Sequence, residues 1–149
     1  NLVVIGLGLN DYSGFGGWNG AITEENRQLY IAEYHKFLGR LLDLYPGVKI
    51  LAVAAQVVWI QDAVKEIVSE ENEAGNKNIF YADYPYYTGG YVNNGHPNID
   101  THHKIAERLI SSIDKINAWE SYTDSIAPQI TKIAPSGFTV YDKNYELKV

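Results

Sequence analysis

The sequence contains neither cysteine nor methionine. Without cysteine, no disulfide framework and no thiolate metal site can form. The absence of cysteine does not fix the compartment, but it suits a secreted protein that avoids stray thiols. No apolar run approaches the roughly 20 residues that a membrane-spanning helix needs, and no membrane association is expected. Basic side chains are few: 12 Lys and Arg stand against 18 Asp and Glu, for a formal net charge of -6. An acidic chain without a basic cluster argues against nucleic acid as a partner. What is abundant is apolar and aromatic. Hydrophobic residues make up 46% of the 149 positions, enough to core one ordinary domain. The 12 Tyr and 3 Trp fall partly in expected loops, where rings either pack at the core edge or stack on a ligand.

The apolar run Leu2-Val3-Val4-Ile5 reads as a strand covered on both faces. Residues 7–20 read as a flexible loop with five glycines. Thr23 is a fair N-cap for the next helix, with Glu24 and Glu25 favourable in its first turn. Tyr30, Tyr34, Phe37, Leu38, Leu41, Leu42 and Tyr45 then recur at helical spacing up to the stop at Pro46-Gly47. A second strand is expected over 48–54 and a second helix through Ile60, Ala63, Val64, Ile67 and Val68. A third strand follows over 78–82, then a long polar and aromatic loop over 83–100. A third helix comes next, with Asp100 as its expected N-cap and Ile105, Leu109, Ile113 and Ile116 as its stripe. The order β-α-β-α-β-α predicts an α/β fold: a parallel sheet in a three-layer α/β/α sandwich. The chain starts directly on a strand-like run, so further strands are expected to precede Leu2. Residues 1–119 are expected to be the C-terminal part of such a domain. Residues 120–149 are expected to be a linker or extension, in which 138–149 could form a hairpin, either as an extra edge element or as the start of another module.

Chemistry concentrates at two strand ends. Gly8-Leu9-Asn10-Asp11 leaves the first strand at its carboxyl end, the side on which α/β proteins bind ligands. A Gly N–H and an Asn amide at such a rim can donate to a developing oxyanion. Asn93-Asn94-Gly95-His96-Pro97-Asn98 leaves the third strand on the same side. Pro97 disfavours helical geometry at His96, which keeps His96 in the loop as a candidate general base. Taken alone, each segment is also an ordinary surface turn. Ser13 is near Asn10 but reads as a loop hydroxyl. His35 reads as a polar-face residue. The adjacent His102 and His103 point in different directions, so a shared metal is not expected. Trp18, Tyr86 and Tyr91 are candidate stacking platforms for sugar rings.

The run Val3-Val4-Ile5-Gly6-Leu7-Gly8-Leu9-Asn10-Asp11 resembles the Gly-x-Asn-Asp block of the SGNH (GDSL-type) hydrolases. Gly95-His96-Pro97-Asn98 and the helix after it resemble their last block, with two βα units between as in that family. Within it the chain looks most like the acetyl (xylan) esterases of carbohydrate esterase family 2, over roughly residues 1–119. The resemblance implies that His96 is the catalytic base, with Asn10 and Gly8 as oxyanion donors. It implies an acetylated polysaccharide as substrate and needs no cofactor. It also implies a nucleophilic Ser in a Gly-Asp-Ser block, which this chain does not contain and an N-terminal portion outside it would supply. The family's acid precedes the His by two or three residues, where this chain has Asn94 and Asn93. A Ser-His dyad is therefore one reading, with Asp83 or Asp100 as conceivable substitutes. Two alternatives remain open: a non-catalytic carbohydrate-binding or scaffold domain on the same fold, and an SGNH lipase or lysophospholipase.

Overall fold

The computed structural model describes residues 2–92 and 95–118. Strand β1 (Leu2–Ile5) is followed by a short helix α1 (Leu9–Gly14) and one 3-10 turn (Gly17–Asn19). Then come α2 (Glu24–Leu44), β2 (Lys49–Ala54), α3 (Val58–Glu73), β3 (Ile79–Asp83), the short strands β4 (Tyr91–Val92) and β5 (His96–Pro97), and α4 (Ile99–Lys115). The main sheet has the order β1-β2-β3 and is parallel throughout. The expected linker and hairpin over 120–149, and the end of the domain expected at 119, lie outside the described residues.

Strand β2 shows why its sequence is a continuous apolar run. Alternate side chains point to opposite faces of a strand, and here both faces are covered. Ile50, Ala52 and Ala54 enter the larger core with Tyr30, Ile31, Tyr34 and Leu38 of α2 and Ile60, Ala63, Val64 and Ile67 of α3. Leu51 and Val53 enter a second, smaller core with Ala82 and with Ile113 of α4. Helices α2 and α3 thus cover one face and α4 the other, which gives the three layers read from the sequence.

Thr23 caps α2 as expected, its hydroxyl accepting from Asn26 N–H at 3.2 Å. Four expectations change. The glycine-rich 7–20 segment is not a plain loop, because it holds α1 and the 3-10 turn. Phe37 and Tyr45 are exposed rather than part of the stripe of α2, while Ile31 is buried in it. The N-cap of α4 is Asn98, whose Oδ1 accepts from Thr101 N–H at 2.9 Å, so Asp100 sits in the first turn instead. Both residues are good caps by type; the structure places the buried Thr101 at the third helical position, where its N–H meets the Asn98 side chain. Finally, His35 is no simple polar-face residue. It is half-buried between α2 and α3, with Nδ1 2.5 Å from Glu71 and Nε2 2.8 Å from Glu70.

Candidate active site

Three parallel strands end on one side of the sheet, and their exits form the rim that carries the candidate residues. Gly8 precedes α1 with φ 115° and is buried. That conformation favours glycine, and space requires it too. A Cβ there would lie 2.6 Å from Tyr30 Oη and 3.1 Å from Ile60 Cγ2. Gly8 C=O accepts from Tyr12 N–H at 2.8 Å, which fixes the turn onto α1. Asn10 stands exposed in the first turn of α1.

The following turn is also pinned. Tyr12 Oη donates to Gly17 C=O at 2.8 Å, and the Tyr12 ring meets Trp18 edge-on at 4.9 Å. Beneath them Trp59 lies 5.9 Å from Tyr12, 6.4 Å from Phe15 and 5.3 Å from Tyr30, centroid to centroid. This aromatic bed holds Trp18 in place while 61% of its surface remains exposed.

On the opposite bank, His96 is exposed on a two-residue ribbon and does not sit in an irregular loop. Val92 pairs with His96 and Tyr91 with Pro97. The ribbon is tied to α4 through Asn98, whose N–H donates to Gly90 C=O at 2.8 Å. Gly90 itself is buried against Thr101 Oγ1, which a Cβ at that position would strike. Tyr86 and Tyr91 stack on each other, 4.6 Å apart and 3° from parallel.

A cleft of about 460 Å³ is lined by Leu9, Trp18, Gln56, Gly95 and His96. The fold thus brings His96 and Trp18 together beside Leu9, the residue between Gly8 and Asn10. Tyr86 and Tyr91 are not among the lining residues; the two rings support the ribbon that carries His96. Gln56, read from sequence only as transitional, is part of the lining. Its position directly after the central strand was the available signal.

The described residues offer His96 no evident carboxylate. Asp83 Oδ1 accepts from Arg108 Nη2 at 2.5 Å, and Oδ2 accepts from Tyr81 Oη at 2.9 Å. Burial opposes ionisation of Asp83, but these two hydrogen bonds outweigh it and hold the carboxyl below its usual range. Asp83 is therefore committed to α4 and the edge of β3. Asp100 is exposed on the first turn of α4. Asn93 and Asn94, at the positions where an acid was expected, lie outside the described residues. Ser13 is exposed on α1, and His102 and His103 are exposed on α4. Among the described residues no group of three or more His, Asp or Glu side chains could hold a metal ion, and no helix is long and apolar enough to cross a membrane.

No family model matches the chain. The cellulase/esterase CelE of Acetivibrio thermocellus is 26% identical over 126 residues, which is 79% of this chain and 14% of CelE. A solved family two carbohydrate esterase from Clostridium thermocellum, in complex with cellohexaose, is 25% identical with a TM-score of 0.66. That match covers 79% of this chain and 36% of that one. A family two carbohydrate esterase from Cellvibrio japonicus is 26% identical with a TM-score of 0.61, covering 80% of this chain and 34% of that one. The chain thus spans about a seventh of the curated relative and about a third of these solved chains.

Proposed function

We propose, for a chain similar in sequence and fold to family two carbohydrate esterases, that it supplies the base and oxyanion half of a secreted serine esterase. The reaction is removal of acetyl groups from a neutral polysaccharide of the xylan type. One observation carries the reading: a single cleft takes His96 from one strand end and Leu9, flanked by Gly8 and Asn10, from another. The exposed Trp18 ring in the same cleft supports a sugar rather than a lipid as the occupant.

In this reading a Ser from a segment outside residues 1–149 attacks the acetyl carbonyl, and His96 accepts the hydroxyl proton. The negative charge that develops on the carbonyl oxygen is met by the Gly8 N–H and the Asn10 side-chain amide. His96 then returns the proton to the departing sugar hydroxyl, and water releases acetate from the acyl-enzyme by the reverse sequence. The role requires no cofactor. The edge of the sheet supports the placement of the Ser segment. Among the described residues strand β1 lies at one edge, Val4 is 47% exposed, and a groove of about 330 Å³ is lined by Leu7, Phe15, Leu29, Tyr30, Tyr34 and Phe37 together with Asp11 and Glu33.

A second reading keeps the cleft for carbohydrate binding without turnover; the exposed Trp18 ring favours it as strongly as it favours catalysis. The two part on acetate release from acetylated xylan by the complete protein. His96→Ala is expected to lower that rate about 10⁴-fold or more, with carbohydrate binding retained. Turnover unchanged by the substitution would sink the role given to His96. Carbohydrate binding by the unaltered protein, without acetate release, would establish the second reading.

A further inference from the structure

Gln56 is the one cleft residue whose place the esterase chemistry leaves unexplained. It follows Ala55 at the carboxyl end of β2, the central strand of the sheet, and that is the end at which open α/β sheets bind ligands. Val57 N–H donates to Ala55 C=O at 2.8 Å, closing a three-residue turn with Gln56 at its centre. Ala55 is buried beneath, and α3 starts at Val58. The backbone on both sides is therefore fixed, and the half-buried Gln56 side chain lines the cleft with His96 and Trp18.

Gln61, on α3, uses its Nε2 to donate to Tyr84 C=O at 3.2 Å; the Gln56 amide enters no such bond among the described residues. A side-chain amide offers two donors and an acceptor without formal charge. The other lining residues are Leu9, Trp18, Gly95 and His96, so among the described residues the lining carries no carboxylate, ammonium or guanidinium group. An aromatic ring beside a neutral hydrogen-bonding group fits an uncharged sugar better than a phosphate or a uronate.

From this geometry we infer that Gln56 is a substrate-recognition residue, its amide hydrogen-bonding the hydroxyls of a neutral sugar ring seated against Trp18, next to the ester at whose cleavage His96 serves as base. The inference rests on the esterase reading above. It makes Gln56 a determinant of which ester is used and leaves the acyl-transfer step to His96, Asn10 and Gly8.

The test compares two esters in the complete protein: acetylated xylo-oligosaccharide and 4-nitrophenyl acetate, which has the acetyl group and no sugar. Gln56→Ala is expected to lower kcat/KM on the oligosaccharide about 10-fold through KM, the scale of one lost hydrogen bond. It should leave the aryl ester within about two-fold. The near-isosteric Gln56→Glu keeps the shape and removes both donors, so it should show the same selective loss. Equal losses on both esters would overturn the inference, because Gln56 would then act through His96 or the oxyanion. No loss on the oligosaccharide would overturn it as well. If the unaltered protein turns over neither ester, the esterase reading fails by itself. Calorimetric titration with the same oligosaccharide then decides: weaker binding by Gln56→Ala upholds the recognition role. Equal binding, or no binding by the unaltered protein, ends it.

Discussion

The two banks of the cleft are built in opposite ways. Gly8 and Asn10 rest on the larger core, with Gly8 wedged against Tyr30 and Ile60 and the aromatic bed of Tyr12, Phe15 and Trp59 alongside. His96 hangs from a two-residue ribbon held to α4 by the Asn98–Gly90 bond and the stacked Tyr86 and Tyr91 rings. One bank is set by close packing over many contacts, the other by a few directional bonds. The first resists displacement because an interior packed to crystal-like density has nowhere to move. The second can be shifted by losing one bond. The bank that carries Gly8 and Asn10 is thus held by the core, while the bank that carries His96 is held by the cap of α4.

Substitutions along both banks sharpen this contrast. Ile60→Ala, beneath Gly8, removes a fully buried side chain and is expected to cost about 2–5 kcal/mol of folding stability; chemical denaturation measures it. A loss below about 1 kcal/mol would show that the bank is not held by packing. Asn10→Ala is expected to lower acetyl-ester kcat about 10²–10³-fold, roughly 3–4 kcal/mol, with little change in the unfolding midpoint because the side chain is exposed. An unaltered rate would remove Asn10 from the oxyanion site. On the other bank, Asn98→Ala deletes the acceptor for Thr101 N–H and is expected to cost about 1 kcal/mol. If the ribbon depends on that cap, hydrogen exchange should quicken at Gly90 and Val92 and not at Tyr12; uniform exchange would erase the distinction.

The smallest effect lies away from the cleft, in the tie between α2 and α3. Burial disfavours the charged form of His35, but its hydrogen bonds to Glu71 and Glu70 outweigh that and raise its pKa above the ordinary value of 6.5. A raised folded-state pKa contributes stability that is fully present below the unfolded value and lost as pH rises through the folded one. The stability difference between the unaltered protein and His35→Gln should therefore be largest near pH 5 and shrink above about pH 7. A difference constant with pH would mean that Glu70 and Glu71 do not raise the pKa of His35 in the folded protein.

Much of the fold was legible because both sheet faces are buried. The runs at Val3, Leu51 and Ile79 have no polar alternation, which only a covered parallel strand explains. The spacing of Ile60, Ala63, Val64 and Ile67 fixed α3 for the same reason. The segment over 7–20 misled because glycines at positive φ, Gly16 and Gly20 among them, look the same in sequence whether they serve a loop or end a short helix. Asp100 misled because it and Asn98 are both good caps by type, and only the structure shows which side chain meets the Thr101 N–H. His35 misled because its partners Glu70 and Glu71 lie on another helix.

By itself, then, the sequence determined the α/β order, the two strand ends that carry Gly8, Asn10 and His96, and the likeness of those ends to an esterase. Local spacing and backbone chemistry are enough for that. Only the tertiary structure decided which of those residues share a cleft. It placed Trp18 beside His96, turned Tyr86 and Tyr91 to the support of the ribbon, bound Asp83 to Arg108, and brought Gln56 into the lining. Those relations join residues far apart in the chain, and no local pattern encodes a distance across the end of a sheet.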